Sequence, residues 1–509
     1  MTDHLRRTLA ATGIVALVAV IAYVIVRAAW MSDDAYITMR TIDNALHGHG
    51  LRWNVAERVQ SYTHPLWLLL QLPVIAVAGN AYLANMWLSL CLTAYTIAIV
   101  IVLLRHSYAR LVFALAVLTL SKAFVDYSTS GLENALSHAV LATLMLVART
   151  PALTWRRACA LGALVAAAGL TRLDLMLMAA PMAIAALRLS RRTVLGFAIG
   201  CLPLALWEAF SLFYYGVPFP NTAYAKLGAG IPQMELAAQG VIYLIDSLKR
   251  DPVTLFAIGL TIAASLGAGF RRSRVPALAI ALYLIYVVRI GGDFMSGRFL
   301  TAPLLVALCV PDGSDERSVL VPRLAAIAIA VVLGVTSPTA TIFTDSTYYA
   351  PLSDTVFAPS GVTDQRGEYF QRTGWRTASG WRTAPLVEDL LEKIARVKAG
   401  HPVAFTHDAI GLVGYYTGPD RYIIDVHGLA DPYLSRLPAT RPWRIGHFSR
   451  GASDDYVASV QEDRNLIADP AQAARYAVLR IVTREPIWTM RRWRAIVALN
   501  TGHADEWRE

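Results

Sequence analysis

What most constrains this chain is a succession of apolar runs separated by short, arginine-rich loops. The first run, Thr8 to Trp30, is long enough to cross a bilayer, whose hydrocarbon core of roughly 30 Å takes about 20 helical residues. Further runs lie near 82–104, 111–125, 134–148, 158–171, 175–187, 193–214, 253–270, 275–290, 299–311 and 324–343. Charged residues make up only 16% of the 509 residues, and hydrophobic ones 56%. Soluble domains carry about 25% charged residues, so the composition fits a multi-pass membrane protein. The net charge of +10 does not point to nucleic acid, because the excess arginine lies in the short loops and sets topology.

The loops also fix the parity. Arg6 and Arg7 place the start of the first run in the cytoplasm. The run 66–78 gives only about 20 Å of helix against a core of roughly 30 Å, either a short span or a helix lying in the interface. If it stays on the outer side as a juxtamembrane or re-entrant element, every Arg-rich loop falls inside: Arg105 and Arg110, Arg156 and Arg157, Arg191 and Arg192, Arg271 and Arg272, Arg317 and Arg323. If it crosses alone, the positive-inside rule fails throughout. The expected fold is therefore an α-helical polytopic membrane protein of about 11 transmembrane helices. Residues 1–343 form the membrane domain, with a first outer loop at 31–80 that carries juxtamembrane helices. Residues 344–509 form an extracytoplasmic α/β domain. In that tail, 386–398 has helical spacing, while 402–405, 422–426 and 476–482 read as strands, and Asp408 reads as a helix cap. The first span has no small-residue cleavage site and reads as uncleaved. Four cysteines, Cys91, Cys159, Cys201 and Cys309, all sit in apolar segments, with no disulfide framework and no zinc spacing.

With this topology the polar strings that loop charge does not explain all emerge on the outer face. The first is Asp33-Asp34, directly after the first span. A solvated helix-end pair would account for it. Adjacent carboxylates at a membrane surface also repel, which raises one pKa and readies a base for an acceptor hydroxyl. Tyr36, Arg40, Arg52, Trp53, Asn54, Glu57, Arg58, Tyr62 and His64 follow within the same loop. Arg52, Arg58, Lys226 and Arg298 suit a lipid-borne phosphate, since arginine grips phosphate as a bidentate fork; headgroup contact is the alternative. Asn221, behind Pro218 and Pro220, is a fixed amide suited to sugar hydroxyls, and Tyr224 accompanies it. Glu133 and Asp174 lie at the outer ends of apolar runs, as helix caps or site acids. Asp293 sits between Gly291-Gly292 and Arg298, as a site acid or a tight-loop ion pair. His407, Asp408 and His427 match no standard metal spacing. No nucleotide-binding or Ser-His-Asp motif appears.

The strings DDAYITMRTIDNALHGHGLRWN, ERVQSYTHPLW, SGLEN, GGDFMSGRFL, IDVHGLADPYLSRLP and WRIGHF resemble those of the GT-C membrane glycosyltransferases, and more closely the membrane arabinofuranosyltransferases of the mycobacterial AftB type. The same strings occur in proteins called flagellar motor control proteins. The resemblance implies a polyprenyl-phosphate arabinofuranose donor and a glycan or glycoprotein acceptor. It also implies an active site on the outer face of the cytoplasmic membrane, with Asp33 and Asp34 as the catalytic acid pair and His64 lining the cavity. The lipid phosphate of such a donor is itself a good leaving group, so no cofactor is expected and no metal is strictly required. Two rivals stand beside it: the same fold with another lipid-linked sugar, such as mannose or aminoarabinose for lipid A, and a non-enzymatic transport or assembly protein. A transporter should carry ionisable groups at mid-membrane, and Glu208 is the main one here.

Overall fold

The computed structural model describes residues 3–150, 154–187, 190–267, 273–310, 320–344, 360–376, 395 and 404–507. It is mostly helical, and the helices follow the apolar runs: Asp3–Arg27, Ala81–Leu104, Tyr108–Leu120, Asn134–Arg149, Trp155–Thr171, Met176–Ala185, Arg191–Tyr214, Pro252–Ser265, Arg274–Arg289, Thr301–Cys309 and Leu320–Thr336. Ala81–Leu104 and Arg191–Tyr214 are each long and apolar enough to cross a membrane, and shorter apolar helices of 10–17 residues accompany them. Only 33% and 17% of their most apolar windows are buried. The core helix of a soluble domain would hide most of that surface, whereas lipid accepts it.

The chain divides into two compact units. The first comprises Met1–Ser32, Tyr82–Pro203 and Gln233–Pro385; the second comprises Asp33–Ala81, Leu204–Pro232 and Leu386–Glu509. One boundary falls at Pro203, inside the helix Arg191–Tyr214, where proline removes a backbone hydrogen bond. In the first unit Tyr108–Leu120 packs against both Asp3–Arg27 and Leu320–Thr336. Glycines permit the tightest approach. A Cβ on Gly162 would lie 2.1 Å from the carbonyl oxygen of Phe197, and one on Gly200 would lie 2.2 Å from that of Cys159. Small residues let two backbones close to contact, which is how helices associate without a hydrophobic driving force. The amphipathic helix Gln233–Arg250, which the sequence reading passes over, packs on Arg274–Arg289 through Gly240.

In the second unit the segment expected as the first outer loop folds as two helices, Asp33–Leu46 and Pro65–Ala78. The tail contributes β1 (Ala404–His407) and β2 (Tyr422–Asp425), parallel, in the register Ala404↔Tyr422 to His407↔Asp425. The helix Ile410–Thr417 connects them, as a parallel pair requires. Among the described residues this is the only sheet of the tail, so it is far more helical than the α/β expectation. The expected strand at 476–482 is the helix Pro470–Arg484. Its β-branched run is overridden from upstream: Asp469 accepts the Gln472 N–H and Pro470 occupies the first turn. The expected helix at 386–398 lies outside the described residues save for 395.

Replacing Gly200 by valine drives a side chain into the Cys159 carbonyl. Thermal denaturation in detergent should show a loss of about 3 kcal/mol; an unchanged melting temperature would contradict the close packing.

Candidate functional site

The segment that follows the first apolar helix is held by what its polar side chains do at the ends of tail helices. Asp33 opens the helix Asp33–Leu46 and is buried. Its Oδ2 accepts the Gly411 N–H at 2.9 Å and its Oδ1 the Leu412 N–H at 2.8 Å. These amides are unsatisfied donors in the first turn of Ile410–Thr417, where helix polarity also favours an anion. Only glycine fits at 411: a Cβ there would sit 1.9 Å from the Asp33 carbonyl oxygen. The cap expected of Asp408 is thus supplied by Asp33, while Asp408 accepts from the adjacent Ala409 N–H. Asp34, next along, is half-buried.

Two turns further on, Arg40 takes the other end. Its guanidinium donates to the carbonyls of Gly414 and, at 2.9 Å, Arg421, and to Trp53 O at 2.8 Å. It lies 4.4 Å from the Trp53 ring centroid, and burial pushes its pKa down to about 9. Trp53 packs with Ile37, Phe405, Ile410 and Ile423 in one apolar cluster. Tyr36 meets Tyr415 edge-on at 5.6 Å between ring centroids.

The remaining loop residues act likewise. The Asn54 amide donates to Ile423 O at 3.0 Å and accepts the Ile423 N–H at 3.1 Å, matching the backbone of β2. Glu57 is buried, accepts from the Tyr422 hydroxyl at 2.6 Å and lies 3.5 Å from Arg484. Burial pushes its carboxyl up, against the pull of Arg484. Arg58 donates to the carbonyls of Val482 and Glu485, capping the end of Pro470–Arg484. Arg52 is half-buried and donates to Val55 O at 2.9 Å. The Tyr62 and Tyr215 hydroxyls are 2.8 Å apart. His64 Nε2 lies 2.8 Å from the Thr38 hydroxyl.

Asn221 is spent inside the fold. Its amide donates to Gly428 O at 2.8 Å and Asp431 O at 2.9 Å, and its oxygen accepts from the Ser435 hydroxyl at 3.1 Å. It pins the HGLADPY turn and leaves no polar atom for a sugar. Tyr224 lies under Arg436, 4.6 Å from ring centroid to guanidinium. Half-buried Lys226 makes no hydrogen bond or ion pair among the described residues.

The other four predicted residues fall in the first unit, and there they meet. Arg298 donates to both oxygens of fully buried Glu133, at 3.0 and 3.3 Å, and lies 3.4 Å from Asp293. Arg172 reaches Glu133 at 3.6 Å and forks onto Asp174 at 3.0 and 2.5 Å. The Tyr283 hydroxyl donates to Asp174 at 3.0 Å. The strings SGLEN, TRLD and GGDFMSGR, far apart in the chain, build one network. The Arg298 fork expected for phosphate is already occupied by carboxylates. Arg172 was missed, although it stands two residues before Asp174. Also missed was a second buried network, in which Lys122 bridges Asp126 and Asp364 while Arg366 holds Asp126; the spacing of Lys122 and Asp126 was its one visible sign.

The chain is similar to glycosyltransferases. It is 27% identical over 516 aligned residues to a terminal beta-(1->2)-arabinofuranosyltransferase of Mycobacterium tuberculosis, covering 82% of this chain and 80% of that protein. It is 30% identical over 340 residues to the protein of the same name from Corynebacterium glutamicum, covering 55% of this chain and 47% of that one. The resemblance carried by the motif strings is borne out. No family model matches the chain, and no solved structure does.

Asp431 gives the tail unit a pH dependence. Burial, and then Glu57, push its carboxyl up to about 7, although Tyr456 donates to it at 2.6 Å. An acid raised in the folded state binds its proton more tightly there. Its stabilising contribution is complete below the ordinary carboxylate value and is lost as pH rises through about 7. Melting followed by tryptophan fluorescence should weaken from about pH 5 to 8, and Asp431→Asn should flatten the upper part of that decline. A wild-type curve that is level or rises over this range would contradict the assignment.

Proposed function

We propose that this protein transfers arabinofuranose from a polyprenyl-phosphate donor to a glycan or protein acceptor at the outer face of the cytoplasmic membrane. The observation that carries the reading is the similarity to terminal beta-(1->2)-arabinofuranosyltransferase over 82% of the chain. The outer placement is supported by the arginine-rich loops, which fall on the opposite side in the expected topology.

In this reading the reaction centre is the start of the helix Asp33–Leu46. Both oxygens of Asp33 accept backbone amides, so Asp33 holds the turn and Asp34 serves as the base. Asp34 takes the proton of the acceptor hydroxyl while the acceptor oxygen forms its bond to the anomeric carbon. The bond from that carbon to the phosphate oxygen breaks, and polyprenyl phosphate leaves with the electron pair. Phosphate is a good leaving group, so the scheme requires no general acid. His64 lines the same loop. Arg52 and Lys226 are assigned to the donor phosphate, because the guanidinium groups of Arg58 and Arg298 are engaged with helix carbonyls and carboxylates. The tail is assigned to the acceptor.

The test is transfer by the purified chain in detergent, from synthetic polyprenyl-phosphate arabinofuranose to arabinan oligosaccharides. The expected result is an extended glycan with stoichiometric release of polyprenyl phosphate. Transfer from a hexose donor only would overturn the sugar. No transfer from any polyprenyl-phosphate sugar would overturn the enzyme reading.

A further inference from the structure

The last helix of the tail, Met490–Thr501, shows two faces. Arg492, Ala495 and Ile496 are buried, and the two apolar ones pack on Val478, Ile481 and Val482. On the other face Met490 is 68% exposed and Val497 61%, and Trp488, just before the helix, is 81% exposed. A tail wholly in water has no use for such a set, since exposed large apolar groups this close together mark a contact surface.

What covers the surface follows from where the helix is fastened. Arg492 donates to the carbonyls of Phe213 and Tyr214, at 3.0 and 2.9 Å. These are the last two residues of Arg191–Tyr214, a helix long and apolar enough to cross a membrane. Asn500 donates to Gly216 O at 2.8 Å just beyond that end. Trp488 meets the Phe213 ring edge-on at 5.1 Å. On the same helix, Leu206 is 67% exposed and lies two turns before Phe213, on the same face. The lipid-facing stripe of the span therefore runs through Phe213 to Trp488. Tryptophan favours the membrane–water interface, where its ring is half in hydrocarbon and its N–H can reach water. Arg494, exposed on the helix face that carries Met490 and Val497, has no hydrogen bond or ion pair among the described residues. Its stem can lie along apolar surface while its charge meets a lipid phosphate.

We propose that Trp488 and the helix Met490–Thr501 are an interfacial anchor lying in the headgroup layer, with anionic lipid as the partner. The anchor would hold the tail at a fixed depth, because Arg492 and Asn500 tie it to one end of a span. The observations of this face suffice for it without the proposed activity.

The experiment is hydroxyl-radical footprinting of the full chain in nanodiscs of phosphatidylcholine and phosphatidylglycerol. Oxidation of Trp488 and Met490 is read by mass spectrometry and normalised to the unfolded chain. Although exposed in the protein itself, both should be protected several-fold in the discs. Arg494→Glu should raise Met490 oxidation in discs rich in phosphatidylglycerol, more than in pure phosphatidylcholine. Oxidation of both residues at the unfolded rate would overturn the proposal. Protection that varies with protein concentration and not with lipid would also overturn it, since a second copy of the chain would then be the cover.

Discussion

One short helix in the tail, Ile410–Thr417, is gripped at both ends by the segment that follows the first apolar helix. Asp33 meets its unsatisfied N–H groups, and Arg40 takes carbonyls toward and beyond its far end. Each charge sits where helix polarity favours it, and each hydrogen bond is to a charged partner, which makes it stronger than a neutral one. The loop's other polar residues repeat the device. Arg58 caps a second helix, Asn54 pairs with the edge of β2, and Glu57 receives Tyr422. The loop is dense in charge because it is fastened to backbone, and that fastening is what gives the Asp33-Asp34 turn a fixed shape.

Buried charge in the other unit is handled differently. There carboxylates and guanidinium groups answer one another directly, as in the set of Glu133, Arg172, Asp174, Asp293 and Arg298. An unpaired charge at such depth would be costly, so these groups had to converge. Removing one partner should cost more than the pair contributes, because it strands the other.

Much of this was legible in the residues. The apolar runs gave the helices, and the strings around Asp33, Glu133 and Asp293 pointed to the arabinofuranosyltransferases that the chain is similar to. The partners were less legible. Asp33 finds Gly411 at a separation of 378 residues, and nothing local to either residue announces the pairing. Asn221 looked like a free amide because its acceptors lie in a turn more than 200 residues later. Arg298 looked available for phosphate because the carboxylate that takes it, Glu133, is on a different loop. The 476–482 run misled for a local reason: its valines and isoleucine favour a strand, and the cap at Asp469 lies outside the run itself. Charge type and position were thus readable from sequence, whereas the commitment of each charge to a partner needed the fold.

The division of labour between the two aspartates is the central claim. It is tested by kcat and melting temperature for Asp33→Asn and Asp34→Asn, with the same donor and acceptor. Loss of a base costs about 10²- to 10⁴-fold in rate, so Asp34→Asn should lose that much kcat while remaining folded. Asp33→Asn should melt lower, because its new amide N–H₂ faces a backbone N–H, yet keep transfer within about ten-fold. The reverse pattern, with Asp34→Asn active and Asp33→Asn silent at an unchanged melting temperature, would contradict the account.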